Sequence, residues 1–506
     1  MTMLERTDLT TPEKVQLAAS AIARQGEYGA VSELANDFGV SRTTVHAVQK
    51  RTLATLSAQV DTQEAETTGV WVAVDRRQLE RAVVALRVVA PNSVRAIETL
   101  LPILYPGISL SYGTVQGIAV EAERRASECN QASDLSGISA AAMDEMFSQG
   151  DPVLAGVDLD SGALFALALR ESRSGEDWAE VLQACREQGL CLDVVVKDAA
   201  LGIRAGVQQV FPDAEQRDDC FHALYEMGKV QRSLESRAYG SMRRVQEAEQ
   251  ALEQLRRAIH PRCKRSELVS KLGCAQRRCS AEMALHDRFE AAQRRVQEAL
   301  EFVDLETATI RSASWIRAEI EHAASEMLAL PNSMCRKVGR YLRNRACGLS
   351  LYAAEVKRQM DALSSVYGEQ IVRLACVVWR LMDELARGRR RHRFHQNRRY
   401  LVGAFELLKR EAEGQAEAAL ADVNAILQRR HRASSAIEGF NAALRPFLYV
   451  HKGVTQGFLE LFRAHYNLRV RRWGRHKGSA AQEVLTGENI GDWLTVLGYP
   501  PSAALN

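Results

Sequence analysis

The chain has 506 residues, of which 46% are hydrophobic and 25% are charged, and its formal net charge is +3. This length predicts two to four domains, and this composition is typical of a globular protein, not of a disordered one. No apolar run could cross a bilayer, the ten cysteines are irregularly spaced, and the polar first residues do not resemble a signal peptide. We therefore expect a cytoplasmic protein with reduced thiols and no membrane partner.

Residues 31–51 have the pattern of a helix-turn-helix. Apolar residues are spaced as the inner faces of two helices, Gly39 supplies the turn between them, and Ser41 caps the second helix. The residues left outside, near the start of the second helix where base edges would be read, are Arg42, Thr43, Thr44 and His46. A helical hairpin that binds no DNA would share the core pattern. We assign residues 1–62 to a DNA-binding domain.

A weaker version of the same pattern follows at residues 93–123. A serine again precedes a helix, whose outer side would carry Thr114 and Gln116. Alone this is a generic helical pair, but after the first unit it suggests a second helical domain. We assign residues 63–130 to DNA binding or to a linker.

Near residue 137 the apolar period changes from that of helices to that of strands. Three short runs predict three antiparallel strands, with a tight hairpin around residues 160–162. A helix, the buried strand CLDVVVKD, another helix and a short fifth strand follow. The order βββαβαβ is that of a ribonuclease H-like mixed sheet. We therefore predict an α/β core whose first part spans residues 131–228.

From residue 229 to residue 429 the strand signals stop, and the segments have helical period and helix-forming composition. We predict an all-helical insertion of this extent. Residues 430–476 then return to the core as helices, and residues 477–506 form a tail.

Two basic clusters contain no acidic residue. The cluster at 387–399 has seven arginines, and the cluster at 463–477 has six arginines and lysines. A solvated helical face is the ordinary explanation for one such run, but two of them favour a polyanion partner. The candidate DNA-contacting residues here are Arg389, Arg390, Arg391, Arg393, Arg471 and Arg472.

Two aspartates of the predicted sheet are candidates for chemistry. Asp144 interrupts the apolar first strand, where a carboxylate is costly unless it is paired or binds a cation. Asp198 ends the buried strand VVVKD, and functional groups gather at the carboxyl ends of parallel strands. Each alone could be a strand-end or turn residue, as we expect for Asp158 and Asp160 beside the hairpin. Because the two strands would be neighbours, the carboxylates of Asp144 and Asp198 would converge.

A third carboxylate, Glu438, lies in the helical pattern SSAIEGFNAALRPF. Apolar residues form the inner stripe of this helix, and Asn441 and Arg445 share the adjacent face with Glu438. This face suits a metal ligand beside a phosphate. A plain solvent-facing side of a helix would have the same pattern.

Four short motifs together resemble D-D-E transposases. They are MDE at 143–145, VVVKD at 194–198, D-C-F-H at 219–222 and S-x-x-E-G-x-N at 435–441. The chain is most similar to the group with a helical insertion between the second Asp and the Glu. Many bacterial insertion-sequence enzymes and the hAT and Mutator-like elements belong to that group. The resemblance covers roughly residues 31–475.

The resemblance implies that Asp144, Asp198 and Glu438 coordinate two Mg²⁺ or Mn²⁺ ions for DNA strand cleavage and strand transfer. It implies that His222 contacts the scissile region or braces the active-site helix, although a core histidine is the alternative. Trp315, in the insertion, would stack on a flipped base, unless it is a packing tryptophan.

The implied partner is double-stranded DNA, both the terminal inverted repeats of the element and the target. The protein would act as a homodimer or larger oligomer on DNA, associated with the bacterial nucleoid.

Two other functions are compatible with parts of the sequence, and a third is not. A ribonuclease H-like DNA nuclease would cleave without strand transfer. A domesticated, transposase-derived regulator would bind DNA without needing the three carboxylates. A coiled-coil scaffold is excluded by the strand-rich middle of the chain and by helical patterns that break before they sustain heptads.

Overall fold

The computed structural model describes residues 9–65, 74–198, 200–256, 262–387, 394–432, 434–450 and 453–502, and these are mostly helical. The chain divides into two compact units, Met1–Gln78 with Ser502–Asn506, and Leu79–Pro501. Among the described helices, none combines the length and apolarity that crossing a membrane would require.

The smaller unit contains α1 (Thr11–Ala23), α2 (Ala30–Asp37) and α3 (Arg42–Ala65). Gly39 turns the chain between α2 and α3 at φ +64°, a conformation that glycine adopts without steric cost. The Ser41 hydroxyl accepts a 3.1 Å hydrogen bond from the Thr44 amide and so caps α3. Leu17, Leu34, Val40 and Val45 form its core.

In the larger unit, three helices precede the sheet: α4 (Arg76–Val89), α5 (Val94–Leu104) and α6 (Tyr112–Gln131). The predicted serine cap is present, because the Ser111 hydroxyl accepts from the Thr114 amide at 3.3 Å. Val84, Val88, Ala122 and Ala126 lie in the apolar core on one face of the sheet.

The sheet has five strands in the order β3-β2-β1-β4-β5. They are β1 (Ala140–Ser148), β2 (Asp151–Asp158), β3 (Leu164–Leu169), β4 (Val194–Lys197) and β5 (Glu215–Asp218). The first three pair antiparallel, whereas β4 and β5 run parallel to β1. With α7 (Gly175–Glu187) before β4 and α8 (Leu201–Val210) after it, the predicted order βββαβαβ is confirmed.

A helical block follows the sheet, and it has its own apolar core. Its members are α9 (Cys220–Arg256), α10 (Arg262–Ala299), α11 (Ala313–Leu328), α12 (Ser333–Tyr367), α13 (Glu369–Arg387), α14 (Phe394–Glu411) and α15 (Ala416–Gln428). Within the described residues its only strand-like pairing is an isolated bridge between Val303 and Ile310. The prediction of an α/β core with an all-α region is therefore confirmed.

Two further helices return the chain to the sheet, α16 (Ser435–Val450) and α17 (Gln456–Leu468). Phe440 and Phe462 pack edge to face within the core between these helices and the sheet. Residues 477–501, expected to be a tail, instead form α18 (Ala481–Thr486) and α19 (Trp493–Val496) and bury Leu494, Leu497 and Tyr499 in the same core.

Candidate active site

Asp144 lies in β1, and Asp198 directly follows the neighbouring strand β4. In the parallel pairing of β1 with β4, Met143 is opposite Lys197, so the next residues of both strands, Asp144 and Asp198, are level with each other. This is the juxtaposition that the two strand patterns predict.

The Asp144 carboxylate is partly buried and accepts two hydrogen bonds. One comes from the Glu145 amide at 2.8 Å, and the other comes from Nδ2 of Asn441 at 2.6 Å. The pKa of Asp144 is raised to about 6, mainly by burial and also by the negative charges of Asp198 and Glu438, although the two hydrogen bonds act in the opposite direction. The charges of Asp198 and Glu438 therefore both lie close enough to act on Asp144.

Glu438 reaches this place from the first turn of α16. Ile437, Phe440 and Leu444 bury the inner stripe of the helix, which leaves Glu438 on the adjacent side with 37% of its side chain exposed. Nη2 of Arg445 lies 3.9 Å from its Oε2. The predicted grouping of a carboxylate with a guanidinium is thus present along one side of α16.

Asn441 is the most enclosed polar residue of the site, with 1% of its surface exposed. Its Nδ2 is used by Asp144, whereas its Oδ1 is buried and has no hydrogen-bond partner among the described residues. A buried, unpaired amide oxygen costs about 1–3 kcal/mol. An unpaired oxygen on the residue that contacts Asp144 fits a site for a hard cation or the water that such a cation carries.

The three carboxylates do not form a compact single-ion site. Among the described residues, only His286, Asp287 and Glu290 of α10 bring their ligand atoms within 4.8 Å of one another. Ligands of one Mg²⁺ lie about 3–4 Å apart, since each bond is about 2.1 Å. Ligands shared between two ions that are themselves about 3.5–4 Å apart span a wider space. The carboxylates of Asp144, Asp198 and Glu438 are not within the 4.8 Å limit, so without a bound ion they do not form a preassembled cage for one cation.

The sequence patterns did not predict a group of charged residues next to Asp198, formed by Lys197, Asp218 and Arg345. Asp218, at the end of β5, forms an ion pair of 2.6 Å with Nη1 of Arg345 from α12. Nζ of Lys197 lies 3.9 Å from the same Asp218 oxygen, and burial lowers the pKa of Lys197. The lysine inside an apolar strand was the only local signal. The helical block thereby contacts the sheet beside the candidate site.

Asp219 joins the start of the helical block to the start of α16. Its Oδ1 accepts from the amides of Phe221 at 2.7 Å and Ser434 at 3.3 Å, and its Oδ2 accepts from the Ser434 hydroxyl. Burial raises the pKa of Asp219. Asp219 therefore positions the segment that leads to Glu438, although these two elements are distant in sequence.

His222 lies on α9, one turn beyond Asp219, with 32% of its side chain exposed. Its Nε2 is 3.8 Å from Oε1 of Glu226, and its ring is 6.3 Å from that of Tyr341. Burial raises the pKa of Tyr341, and the charges of Asp218, Asp219 and Asp198 raise it further. Tyr341 therefore lies near the carboxylates, whereas the contacts of His222 among the described residues are with the helical block.

The candidate DNA-contacting residues differ in exposure. Arg42, Thr43 and His46 are exposed on α3, whereas Thr44 is partly buried and its Oγ1 lies 2.8 Å from the Ser41 hydroxyl. Trp315 is 41% exposed on α11, and the guanidinium carbon of Arg311 lies 4.6 Å from the centroid of the tryptophan ring.

The predicted DNA-contacting arginines of the two basic clusters also differ in exposure. Arg472 is exposed, but Arg471 donates to the carbonyl oxygens of Ser161 at 2.8 Å and Gly162 at 2.9 Å. Arg471 thus stabilises the turn between β2 and β3. Four predicted contacts lie outside the described residues, namely Arg389, Arg390, Arg391 and Arg393.

A cavity of about 1970 Å³ lies between the helical block and the start of α16. Arg380 is buried in its wall, where it forms ion pairs with Glu301 at 2.5 Å and Glu384 at 2.8 Å. Arg432, which also lines the cavity, lies 3.6 Å from Glu301. These contacts fix the chain just before α16, so they help to set the position of Glu438.

No known family model matches the chain, and no curated protein matches it either. What the site can do is therefore inferred from its own residues and their geometry.

Proposed function

We propose that this protein is a D-D-E transposase, which binds the ends of a mobile element and catalyses metal-dependent cleavage and transfer of DNA strands. The observation that carries the proposal is that two distant parts of the chain meet at Asp144. Asp198 directly follows β4, which pairs with β1, and α16, 240 residues further along the chain, contacts Asp144 through Asn441 and brings the charge of Glu438 near it. Gathering partly buried carboxylates is costly. Arg445, 3.9 Å from Glu438, offsets part of that cost, and bound metal cations would offset more of it.

In this proposal Asp144, Asp198 and Glu438 hold two Mg²⁺ or Mn²⁺ ions. Bound there, the ions would activate a water or a DNA 3′-hydroxyl and stabilise the leaving oxygen. Asn441 keeps the Asp144 carboxylate oriented through its 2.6 Å hydrogen bond. Arg445, 53% exposed and next to Glu438, is placed to contact a phosphate of the bound strand.

The architecture supports the proposal at a coarser level. Five strands in the order βββαβαβ, with a helical block before the last carboxylate, are what a ribonuclease H-like core with a helical insertion requires. The exposed side chains of Arg42, Thr43 and His46 near the start of α3 suit a helix-turn-helix that reads the major groove. His222 and Trp315 remain proposed contacts to DNA.

The proposal is tested with the purified full-length protein and a supercoiled plasmid that carries the inverted repeats flanking the gene. With Mg²⁺ we expect nicked or linear products and joined strands. Asp144→Asn, Asp198→Asn and Glu438→Gln should each reduce cleavage by more than the roughly 10–100-fold that loss of an outer-shell partner costs. Asp151→Asn, which changes an exposed carboxylate at the start of β2, should retain activity.

The outcomes separate the alternatives. Cleavage without joined products would identify a nuclease instead of a transposase. Specific DNA binding with no cleavage would favour a regulator. Retained cleavage in all three active-site variants would overturn the catalytic assignment.

A further inference from the structure

Residues 470–479, between α17 and α18, form a loop that exposes an unusual set of side chains. The Trp473 side chain is 78% exposed and Val470 is 50% exposed. Arg472, Arg475 and Lys477 are exposed on either side of the tryptophan. A large aromatic ring left in water between cations is the arrangement expected of a binding surface.

The loop is held in place at its base. The Arg471 amide donates to the Ser479 carbonyl at 3.1 Å, and the Gly478 amide donates to the Arg471 carbonyl at 2.8 Å. The Arg471 guanidinium donates to Ser161 and Gly162, and Nε2 of His476 donates to the Asp160 carbonyl at 2.7 Å. The exposed Trp473 is therefore presented by a closed loop that is fixed to the turn between β2 and β3.

The surroundings of the loop are positively charged. The sequence contains no acidic residue between Glu460 and Glu483. Asp160, at the base of the loop, lies within 4.0 Å of three groups, those of Arg429, His431 and Arg475. One carboxylate is thus shared by two arginines, while burial lowers the pKa of His431 and favours its neutral form. The arginines leave an excess of positive charge for a polyanion.

The loop lies within reach of DNA bound at the carboxylates. The Leu159 amide donates to the Ala140 carbonyl at 2.8 Å, so the turn that anchors the loop is at the start of β1. Asp144 is four residues further along β1, about 13 Å at 3.3 Å per residue. A duplex has one negative charge per roughly 1.7 Å of its axis, so several phosphates fit between the two places.

We propose that Trp473 stacks on an unpaired base of the bound DNA while Arg472, Arg475 and Lys477 contact the neighbouring phosphates. This inference rests on the proposed DNA function. Stacking suits the exposed Trp473 ring because every base has a face on which an aromatic ring can lie, while the neighbouring cations attract the phosphates. An unpaired base is required, since only then is a face of the base available to the ring.

The test compares two DNAs of the same sequence, a blunt duplex and a duplex with an unpaired arm that carries 2-aminopurine. Loss of one stacked base weakens binding by roughly 5- to 150-fold. We expect Trp473→Ala to weaken binding of the forked DNA by that factor and to change binding of the blunt duplex less than about 2-fold. Trp473→Phe should retain most of the affinity. The wild-type protein should quench the 2-aminopurine, and Trp473→Ala should not.

Tyr239→Ala is the matched control, because Tyr239 is an aromatic residue with 65% exposure on α9, in the helical block. It should leave both affinities unchanged. Arg472→Ala should weaken binding of both DNAs by the same factor and make binding less dependent on the salt concentration.

Equal affinities of wild-type and Trp473→Ala protein for the forked DNA would overturn the proposal, as would an equal loss on both DNAs. If the wild-type protein binds neither DNA, the proposed function itself fails. If it binds and cleaves DNA while Trp473→Ala behaves as wild type, only the role of Trp473 is refuted.

Discussion

Nδ2 of Asn441 donates a 2.6 Å hydrogen bond to Oδ2 of Asp144, and this contact ties the middle of α16 to the middle of β1. It brings the helix that carries Glu438 to the strand that carries the first aspartate. Because the contact lowers the free energy of the ionised Asp144, it also favours the form that binds a cation.

Asn441→Ala should weaken the apparent affinity for Mg²⁺ in a cleavage titration by roughly 10–100-fold, since Asp144 loses its orienting partner. Asn397→Ala is the control, because Nδ2 of Asn397 makes a comparable 2.9 Å bond to Glu384 within the helical block. That variant should lose stability without a change in the Mg²⁺ dependence. Identical Mg²⁺ titrations for Asn441→Ala and the wild type would contradict the role of Asn441.

Asp144→Asn should stabilise the metal-free protein at neutral pH. The pKa of Asp144 is raised from 3.8 to about 6, mainly by burial, so the folded protein holds this proton more tightly than the unfolded chain does. Its contribution to the free energy of unfolding is therefore complete below pH 4 and is lost as the pH rises through about 6. Asp144→Asn avoids this loss, so its free energy of unfolding at pH 7 should exceed that of the wild type by up to about 3 kcal/mol.

Urea unfolding in EDTA between pH 4 and pH 8 measures the effect. The difference between Asp144→Asn and the wild type should grow with pH, whereas Asp151→Asn, at an exposed position, should run parallel to the wild type. Added Mg²⁺ should stabilise the wild type and not Asp144→Asn. A pH-independent difference for Asp144→Asn would show that its carboxylate is not perturbed.

Gly348→Ala should destabilise the contact between α12 and the sheet. A Cβ at this position would lie 2.0 Å from Oδ2 of Asp218. The same carboxylate forms an ion pair with Arg345, which lies on α12 with Gly348. Displacing Asp218 should cost about 1–3 kcal/mol, more than the roughly 1 kcal/mol that alanine gains over glycine in a helix. Gly240→Ala, on α9 with nothing within 4 Å, should instead be stabilising. Equal free energies of unfolding for Gly348→Ala and Gly240→Ala would contradict the close approach of Asp218 to Gly348.

Arg42→Ala should lower DNA affinity and make binding less dependent on salt, because Arg42 is exposed at the start of α3. Arg24→Ala changes the same charge in the same unit, but Arg24 already pairs with Glu27 at 2.7 Å and Glu33 at 2.8 Å. It should affect binding less. A larger effect of Arg24→Ala than of Arg42→Ala, measured by fluorescence anisotropy at several salt concentrations, would count against α3 as the DNA-contacting helix.

The parts of the site that could be predicted depend on local patterns. The change from helical to strand period near residue 137 indicated the sheet, and the parallel pairing of β1 with β4 then placed Asp144 beside Asp198. The inner stripe of α16 likewise placed Glu438 and Asn441 next to each other. In each case the spacing of residues along one element determines which side chains share a face.

The contacts that could not be predicted join elements far apart in the chain. Asp218 meets Arg345 of α12, and Asp219 meets Ser434 before α16, because the helical block folds back on the sheet. Composition also does not show which way a guanidinium points. Arg471 belongs to a basic cluster, yet it binds backbone carbonyls of a turn, whereas its neighbour Arg472 is exposed.

The central claim is tested most directly by soaking crystals of the protein in Mn²⁺ and measuring the anomalous difference density. We predict two peaks about 3.5–4 Å apart among Asp144, Asp198 and Glu438, both lost in Asp144→Asn crystals. Density at His286, Asp287 and Glu290 alone, with none at the three carboxylates, would contradict the metal-dependent mechanism.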